Sequence, residues 1–343
     1  MFQEALGTTR AKVSRIEALA GYIATCAGLS EQDVIDAKRA AYLAKADLVT
    51  SAVVEFTSVQ GIMGSYYAKA AGETDQVAQA IADHYKPRFA GDTLPASLVG
   101  KAVACADKID TICGLFAVNQ APTGSSDPFA LRRQAIGVIN ILDSGLAFSL
   151  VDAISEALSA YAANGIEFDI DAVREQVVDF FITRTKVNLR DAGAAQDAID
   201  AVLATGVVEP AVIMTRVRAL EAARANKAET FDDLATAYAR ANNLRDVNCG
   251  ENYDNAIFNE IEAGLANAIV KAKREVETAL VADDYATALQ NLADLRKPID
   301  AFFDGVMVMD EDAKIRENRL RLLNSFVSVF ANVADFGLMA KSK

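Results

Sequence analysis

A chain of 343 residues exceeds the roughly 100 to 200 that usually share one hydrophobic core, so two domains are expected rather than one. Hydrophobic residues make up 52%, Ala and Leu recur throughout, Pro numbers only 6 and Trp is absent, which together specify an all-α chain. The net charge of -13 excludes an indiscriminate nucleic-acid coat, and any phosphate-binding surface must be a local patch.

The chain opens on MFQEALGTTRAKVSRIEALAGYIA, with Phe2, Leu6, Val13, Ile16, Leu19 and Ile23 at helical spacing. A chain that starts inside a helical pattern, with no polar arm, reads as a segment of something longer. A second helix is expected over about 31–49, and a third within SAVVEFTSVQGIMGSYYAKAAG, where Gly61 and Gly64 mark a break or a close backbone approach. In TDQVAQAIADHYKPRFAGDTLP, Thr74 and Asp75 cap a helix running to about Tyr85, and Pro87, Gly91 and Pro95 then force a loop. LVGKAVACADKIDTICGLFAV is an apolar helix that nonetheless carries Asp107, Lys108 and Asp110. In PTGSSDPFALRR, Asp127 is expected to cap a helix starting at Pro128, whose missing N–H costs nothing there. Leu131, Ile136, Ile139 and Leu142 form the buried stripe of that helix.

The turn AANG suggests a junction, giving a first helical domain over 1–150, a linker over 151–175 and a second helical domain over 176–343. In the last helix Ile315, Leu322, Leu323, Phe326 and Phe330 face inward, which leaves Arg316, Arg319 and Arg321 outside. Cys26, Cys105, Cys113 and Cys249 show no CxxC spacing and read as free thiols in a reducing compartment. No signal peptide and no apolar run near the roughly 18 residues of a membrane span is present, so a cytoplasmic location with no membrane partner is expected.

Catalytic chemistry finds little to use. His84 is the only histidine, which is too few for the adjacent His-Asp pair and further His ligands of a metal phosphohydrolase. It also lacks the GxSxG elbow of a serine nucleophile. PTGSSD lacks the GK[ST] ending of a phosphate loop. No catalytic or metal-ligating residue is therefore assigned, and His84 is either a hydrogen-bonded structural residue or one that faces RNA. Arginines offer more. Arg132 and Arg133 stand near a helix N-terminus that itself favours anions. Arg184, Arg216, Arg218, Arg240 and the Arg316/Arg319/Arg321 face could together position a nucleic-acid backbone.

DHYKPRFAGDTLP, KAVACADKIDTICGLF and PTGSSDPFALRRQAIGVINIL, followed by RVRAL and DLRKPIDAFFDGVMVMDEDAKIRENRLRLL, resemble in order and spacing the beta subunit of the bacterial two-subunit glycyl-tRNA synthetases. The resemblance runs from about Phe2 to Gly337. It implies an HD-like helical domain followed by an anticodon-binding domain of the DALR type, the C-terminal half of that longer subunit. It also implies tRNA(Gly) and the alpha subunit as partners, in an assembly of two alpha and two beta chains. ATP and Mg would be used at an aminoacylation centre on the alpha subunit, with no cofactor bound by this chain and no catalysis by it alone. On the same basis Arg184, Arg216, Arg218, Arg240, Asn243, Arg316 and Arg319 are candidates for tRNA contact in the anticodon-binding domain, Asn243 and Tyr238 for reading or stacking on bases. His84, Lys86, Arg132 and Arg133 are the candidates in the HD-like domain. The family tends to have Lys-Arg where this chain has Ala239-Arg240, so one expected positive charge is missing. The alternatives are a structural scaffold that holds the alpha subunit, and, less favoured for want of histidines, an active HD phosphohydrolase.

Overall fold

The computed structural model describes residues 4–89, 91–226 and 228–339. Phe2, assigned above to the first apolar face, lies outside them. Among the described residues the chain is all-α, as expected, and the only β-type pairing is an isolated bridge between Thr123 and Ser126. It divides into two compact units. The first runs to Asn188 and includes Val208–Ala211; the second comprises Leu189–Val207 and the chain from Val212 onward.

The first unit contains α1 (Thr9–Cys26), α2 (Glu31–Leu43), α3 (Ser51–Glu55), α4 (Ile62–Ala70), α5 (Asp75–Asp83), α6 (Leu98–Ala117), α7 (Leu131–Asp143), α8 (Leu150–Ala163) and most of α9 (Ile170–Asp191). Thr8, Ser30, Thr74, Ser97 and Ser149 each accept a hydrogen bond from a backbone N–H in the first turn that follows, which fixes where five of these helices begin. Helix α6 is the axis: α1, α2, α5, α7 and α8 pack around it, and of its residues only Leu98 and Lys101 escape full burial. A helix apolar all round is a buried one. Its three buried charged residues, Asp107, Lys108 and Asp110, therefore have to find partners inside.

Three differences from the sequence reading have physical causes. Helix α2 stops at Leu43 instead of reaching Val49, because the buried carboxylate of Asp47 accepts the N–H groups of Gly61 at 2.6 Å and Gly64 at 3.0 Å and draws the chain out of register. Gly61 has φ +78°, and a Cβ on Gly64 would stand 3.0 Å from Asp47, so both glycines are required. Helix α7 starts at Leu131, three residues after Pro128, although Asp127 still serves its N-terminus. Residues expected to form the linker over 151–175 instead make up α8 and the start of α9. Helix α8 packs on α6 and α1 and buries Tyr161 completely, so the first unit continues well past residue 150.

The second unit contains α10 (Gln196–Leu203), most of α11 (Pro210–Asn226), α12 (Ala228–Leu244), α13 (Glu260–Val281), α14 (Tyr285–Ala293), α15 (Arg296–Gly305) and α16 (Ala313–Ser328). Helix α13 opens on a capping box in which Asn259 accepts from the Glu262 N–H and Glu262 accepts from the Asn259 N–H. Helices α12 and α16 pack together with the aromatic cluster Phe231, Tyr238, Phe326, Phe330 and Phe336 on their shared side. Leu322, Leu323 and Phe326 are buried as the helical spacing predicts, Ile315 is only half-buried, and Phe330 is fully buried from beyond the end of α16. The four cysteines are free thiols, and no helix among the described residues is long and apolar enough to cross a membrane.

Candidate nucleic-acid interface

The charges on α6 meet those on α1. Asp110 accepts from the Arg15 Nε at 2.7 Å and from the Lys12 Nζ at 3.2 Å, and Lys12 also pairs with Asp107 at 3.1 Å. Arg15 donates to the Tyr161 hydroxyl at 3.0 Å and lies 4.0 Å above that ring, while Tyr161 donates to the Asp110 carbonyl at 3.0 Å. From the loop after α2, Lys45 inserts its ammonium 2.7 Å from Asp107, 2.8 Å from His84 Nε2 and 3.9 Å from the Tyr85 ring centre. An ammonium can only donate, so His84 Nε2 is the unprotonated nitrogen and Nδ1 donates to the Ile81 carbonyl at 2.6 Å. Burial raises the Asp107 carboxyl, but Lys45 and Lys12 outweigh it and hold the group well below the usual carboxylate range. Burial lowers the Lys108 ammonium to about 8, and its donors go to the carbonyls of His84 and Lys86.

His84 itself is fully buried, which corrects the RNA-facing assignment: its surface is spent on Lys45, Ile81 and Tyr85. Burial, and then Lys45, push its imidazole well below its ordinary value, so it is neutral in the fold. In the unfolded chain it regains a pKa of about 6.5. Acidification past that value loads protons onto the unfolded state first, so stability is fully present above about pH 6.5 and lost below it, by up to about 1.4 kcal/mol per pH unit. Urea midpoints between pH 7 and 5 should fall accordingly, and His84→Gln should flatten that slope; an equal slope in the variant would remove His84 as its source.

The other candidates of the first unit fare differently. Lys86 is half-exposed and held 3.0 Å from Asp83. The helix N-terminus behind PTGSSDPFALRR is already occupied, since Asp127 accepts from the N–H groups of Leu131 at 2.8 Å and Arg132 at 3.0 Å. The motif is thus a capped helix start and not an empty phosphate cradle. Arg132 also donates to the Gly124 carbonyl at 2.7 Å, and Arg133 is exposed with one long bond to the Arg88 carbonyl. Arg184 belongs to this first unit and not, as expected, to the second. Burial and the nearby Arg132 lower its guanidinium, and its Nε–H finds no acceptor among the described residues. Two guanidiniums that repel one another, one incompletely satisfied, favour an anion beside them.

In the second unit several arginines serve the fold. Arg216 donates to the Asn332 carbonyl at 2.8 Å and lies over Tyr285. Arg316 donates to the Asp310 carbonyl at 2.7 Å. Arg319 is largely buried between Glu262 at 2.5 Å, Asp310 at 2.7 Å and the Met307 carbonyl at 2.8 Å, so the exposed position expected for it is corrected. Tyr238 is also corrected as a base-stacking surface: it is buried, with Phe330 at 4.9 Å and Phe336 at 6.2 Å, and burial and Asp335 raise its hydroxyl to about 12. Exposed residues remain on α11 and α12, namely Arg218, Arg240 and Asn243, the last two three residues apart on one helical face. Arg240 covers Phe303 at 4.1 Å and borders a groove of about 320 Å³ with Thr236, Arg296, Asp233, Asp300 and Asp304. Arg296 pairs with Asp233 and lies 3.6 Å from Asp300. Sequence reasoning passed over Arg296 and Phe303, although both stand in the DLRKPIDAFFDG segment that carried the resemblance. Their partners lie on α12, some 60 residues upstream, and only the folded chain brings them together.

Comparison with known proteins fits this geometry. A family model described as glycyl-tRNA synthetase beta subunit matches residues 1–204, and one described as DALR anticodon binding domain matches 234–336, the part that holds the groove. Glycine–tRNA ligase beta subunits from Histophilus somni (strain 2336), Vibrio cholerae serotype O1 (strain M66-2) and Moorella thermoacetica are 43%, 44% and 45% identical to it over 343, 346 and 342 residues. These alignments cover 99%, 99% and 98% of this chain and 49% of each relative, so the chain spans about half the length of the curated relatives it matches. The matches define a protein of the aminoacyl-tRNA synthetase class, with an anticodon-binding domain in its second half. Within that class the chain belongs to the glycyl-tRNA synthetase beta subunit family.

Proposed function

We propose that this chain is the tRNA-recognising segment of a glycine–tRNA ligase beta subunit and supports ATP-dependent glycylation of tRNA(Gly) in the cytoplasm. Activation of glycine, with ATP and Mg, would take place on a separate alpha subunit, two alpha and two beta chains forming the enzyme, and this chain would catalyse nothing alone. The observation that carries the reading is the coincidence of the anticodon-binding match with the groove beneath Arg240. Unpaired bases stack on aromatic rings and guanidinium planes and hydrogen-bond at their edges. Arg240 on Phe303 offers the plane, while Thr236, Asn243 and the groove carboxylates offer edge partners. In the first unit, Arg132, Arg133 and Arg184 suit contact with the phosphate backbone.

Binding of glycine tRNA and of a non-cognate tRNA at low and moderate salt tests this. Selective binding that weakens steeply with salt is expected, because neutralised phosphates release counterions. Arg240→Ala should weaken glycine-tRNA binding about fivefold, the roughly 1 kcal/mol of one charge-assisted contact. Unchanged affinity in a folded variant would remove Arg240 from the interface. A scaffold role is favoured by the number of candidates spent inside the fold, His84, Tyr238, Arg216 and Arg319 among them. It would lead if the folded chain bound no tRNA at all.

A further inference from the structure

Between α5 and α6 the chain runs Lys86-Pro87-Arg88-Phe89, with the Phe89 ring 60% exposed and Arg88 half-exposed beside it. The loop is fixed from three sides. Lys108 donates to the Lys86 carbonyl at 2.7 Å from within the unit, the Asp92 carboxylate accepts from the Arg88 N–H at 2.7 Å, and the Arg88 side chain reaches the Gln60 carbonyl at 3.4 Å. A ring presented on a fixed loop is a preformed stacking surface, because little freedom is left to lose when something settles on it.

The neighbours of the ring decide what can cover it. Helix α7 lies so close to the loop that a Cβ on Gly137 would stand 3.3 Å from the Pro87 ring. One turn earlier on the same face, Arg133 donates to the Arg88 carbonyl, which belongs to the peptide group that carries Phe89. Arg132 comes next to it, and Arg184 approaches from α9 closely enough for the two guanidiniums to repel. With Lys86 and Arg88 these make a band of five cations, among which the described residues place three carboxylates, Asp83, Asp92 and Asp127. Each carboxylate is committed: Asp83 to Lys86, Asp92 to the N–H groups of Arg88 and Thr93, Asp127 to those of Leu131 and Arg132. Five minus three leaves an excess of two positive charges here, in a chain whose total is -13.

The core of a protein–protein interface is depleted of charge, whereas this ring stands among cations. RNA with an unpaired nucleotide supplies both halves of the complement, phosphates for the guanidiniums and a base whose face lies on the phenyl ring. We infer that Phe89, flanked by Arg88 and Arg133, stacks on an unpaired nucleotide of the bound tRNA while Arg132 and Arg184 hold its backbone. The inference rests on the tRNA-recognising role proposed above and adds to it a second grip on an unpaired base, in the first unit, whereas the groove beneath Arg240 belongs to the second. Every base has a π-face, so stacking of this kind contributes affinity without choosing among sequences. Loss of Phe89 and loss of Arg240 therefore have different signatures.

Binding of glycine tRNA, of a non-cognate tRNA and of a blunt-ended RNA duplex to the whole chain and to its Phe89→Leu and Phe89→Tyr variants tests the assignment. Leucine keeps an apolar side chain at this exposed position and removes the ring. Phe89→Leu should weaken both tRNAs at least about fivefold, the low end for one stacked base, with their ratio, the salt slope and duplex binding unchanged. Phe89→Tyr should bind as the parent does, and Arg133→Ala should instead lower the salt slope by about one. Unchanged affinity in Phe89→Leu, with Arg240→Ala still weakening glycine-tRNA binding, overturns the inference and leaves the tRNA reading intact. An equal loss on the blunt duplex overturns it too, since nothing unpaired is then being held. No tRNA binding by the folded chain would overturn both together and leave the ring and its cations to a protein or lipid partner.

Discussion

Asp110→Ala should cost about 3–5 kcal/mol, the penalty for leaving buried charge without its counter-ion. The carboxylate is almost wholly inaccessible and accepts from both Lys12 and Arg15, so its removal strands two cations on α1 with only Asp107 nearby. Neither cation can retreat to water without unpacking α1 from α6. Against a total stability of roughly 5–15 kcal/mol this is a large fraction. Urea unfolding of the variant measures it, and a loss under about 1 kcal/mol would show that the cluster tolerates the imbalance. Adding Arg15→Met to Asp110→Ala should recover part of the loss, because a buried pair replaced on both sides costs less than a broken one. Strict additivity would mean that the pair is not coupled.

Phe330→Ala should cost about 3–5 kcal/mol through the cavity it leaves among Tyr238, Phe326 and Phe336. Tyr238→Phe, at the same cluster, removes one hydroxyl and keeps the packing, so a loss of only about 0.5–1.5 kcal/mol is expected. The contrast carries functional information as well. If Tyr238 acts through packing, the Phe variant binds glycine tRNA as tightly as the parent, whereas loss of affinity with stability preserved would return Tyr238 to the RNA interface. Thermal unfolding and tRNA binding on the same two samples separate the cases.

The all-α class, the capped start of α5 and most of the apolar stripes of α7 and α16 were legible in the sequence because they are local, although Ile136 of the α7 stripe is only half-buried. Side-chain oxygens cap the turn that follows them, and apolar spacing names the buried face. What escaped was set by distant partners. No periodicity reveals that Asp47 will end α2 by accepting from Gly61 and Gly64, nor that Tyr161 will draw α8 into the first unit. For the candidate site, residue type was a poor guide to exposure. Arg240 and Arg319 are the same residue on two helices of one unit, yet one lies on the surface over Phe303 and the other is enclosed by Glu262 and Asp310. The second is ion-paired to carboxylates from elements about 9 and 57 residues away in sequence, whereas the first shares its groove with Asp233, Asp300 and Asp304 and lies over a ring.

Lys45 gives the first unit a property that a bound ion could not. The positive charge joining His84 to Asp107 is fastened to the backbone by its own side chain. Its occupancy has no dissociation equilibrium, so neither dilution nor competition from other cations empties the position. The junction is inherited with the chain at synthesis and needs no supply from the surroundings.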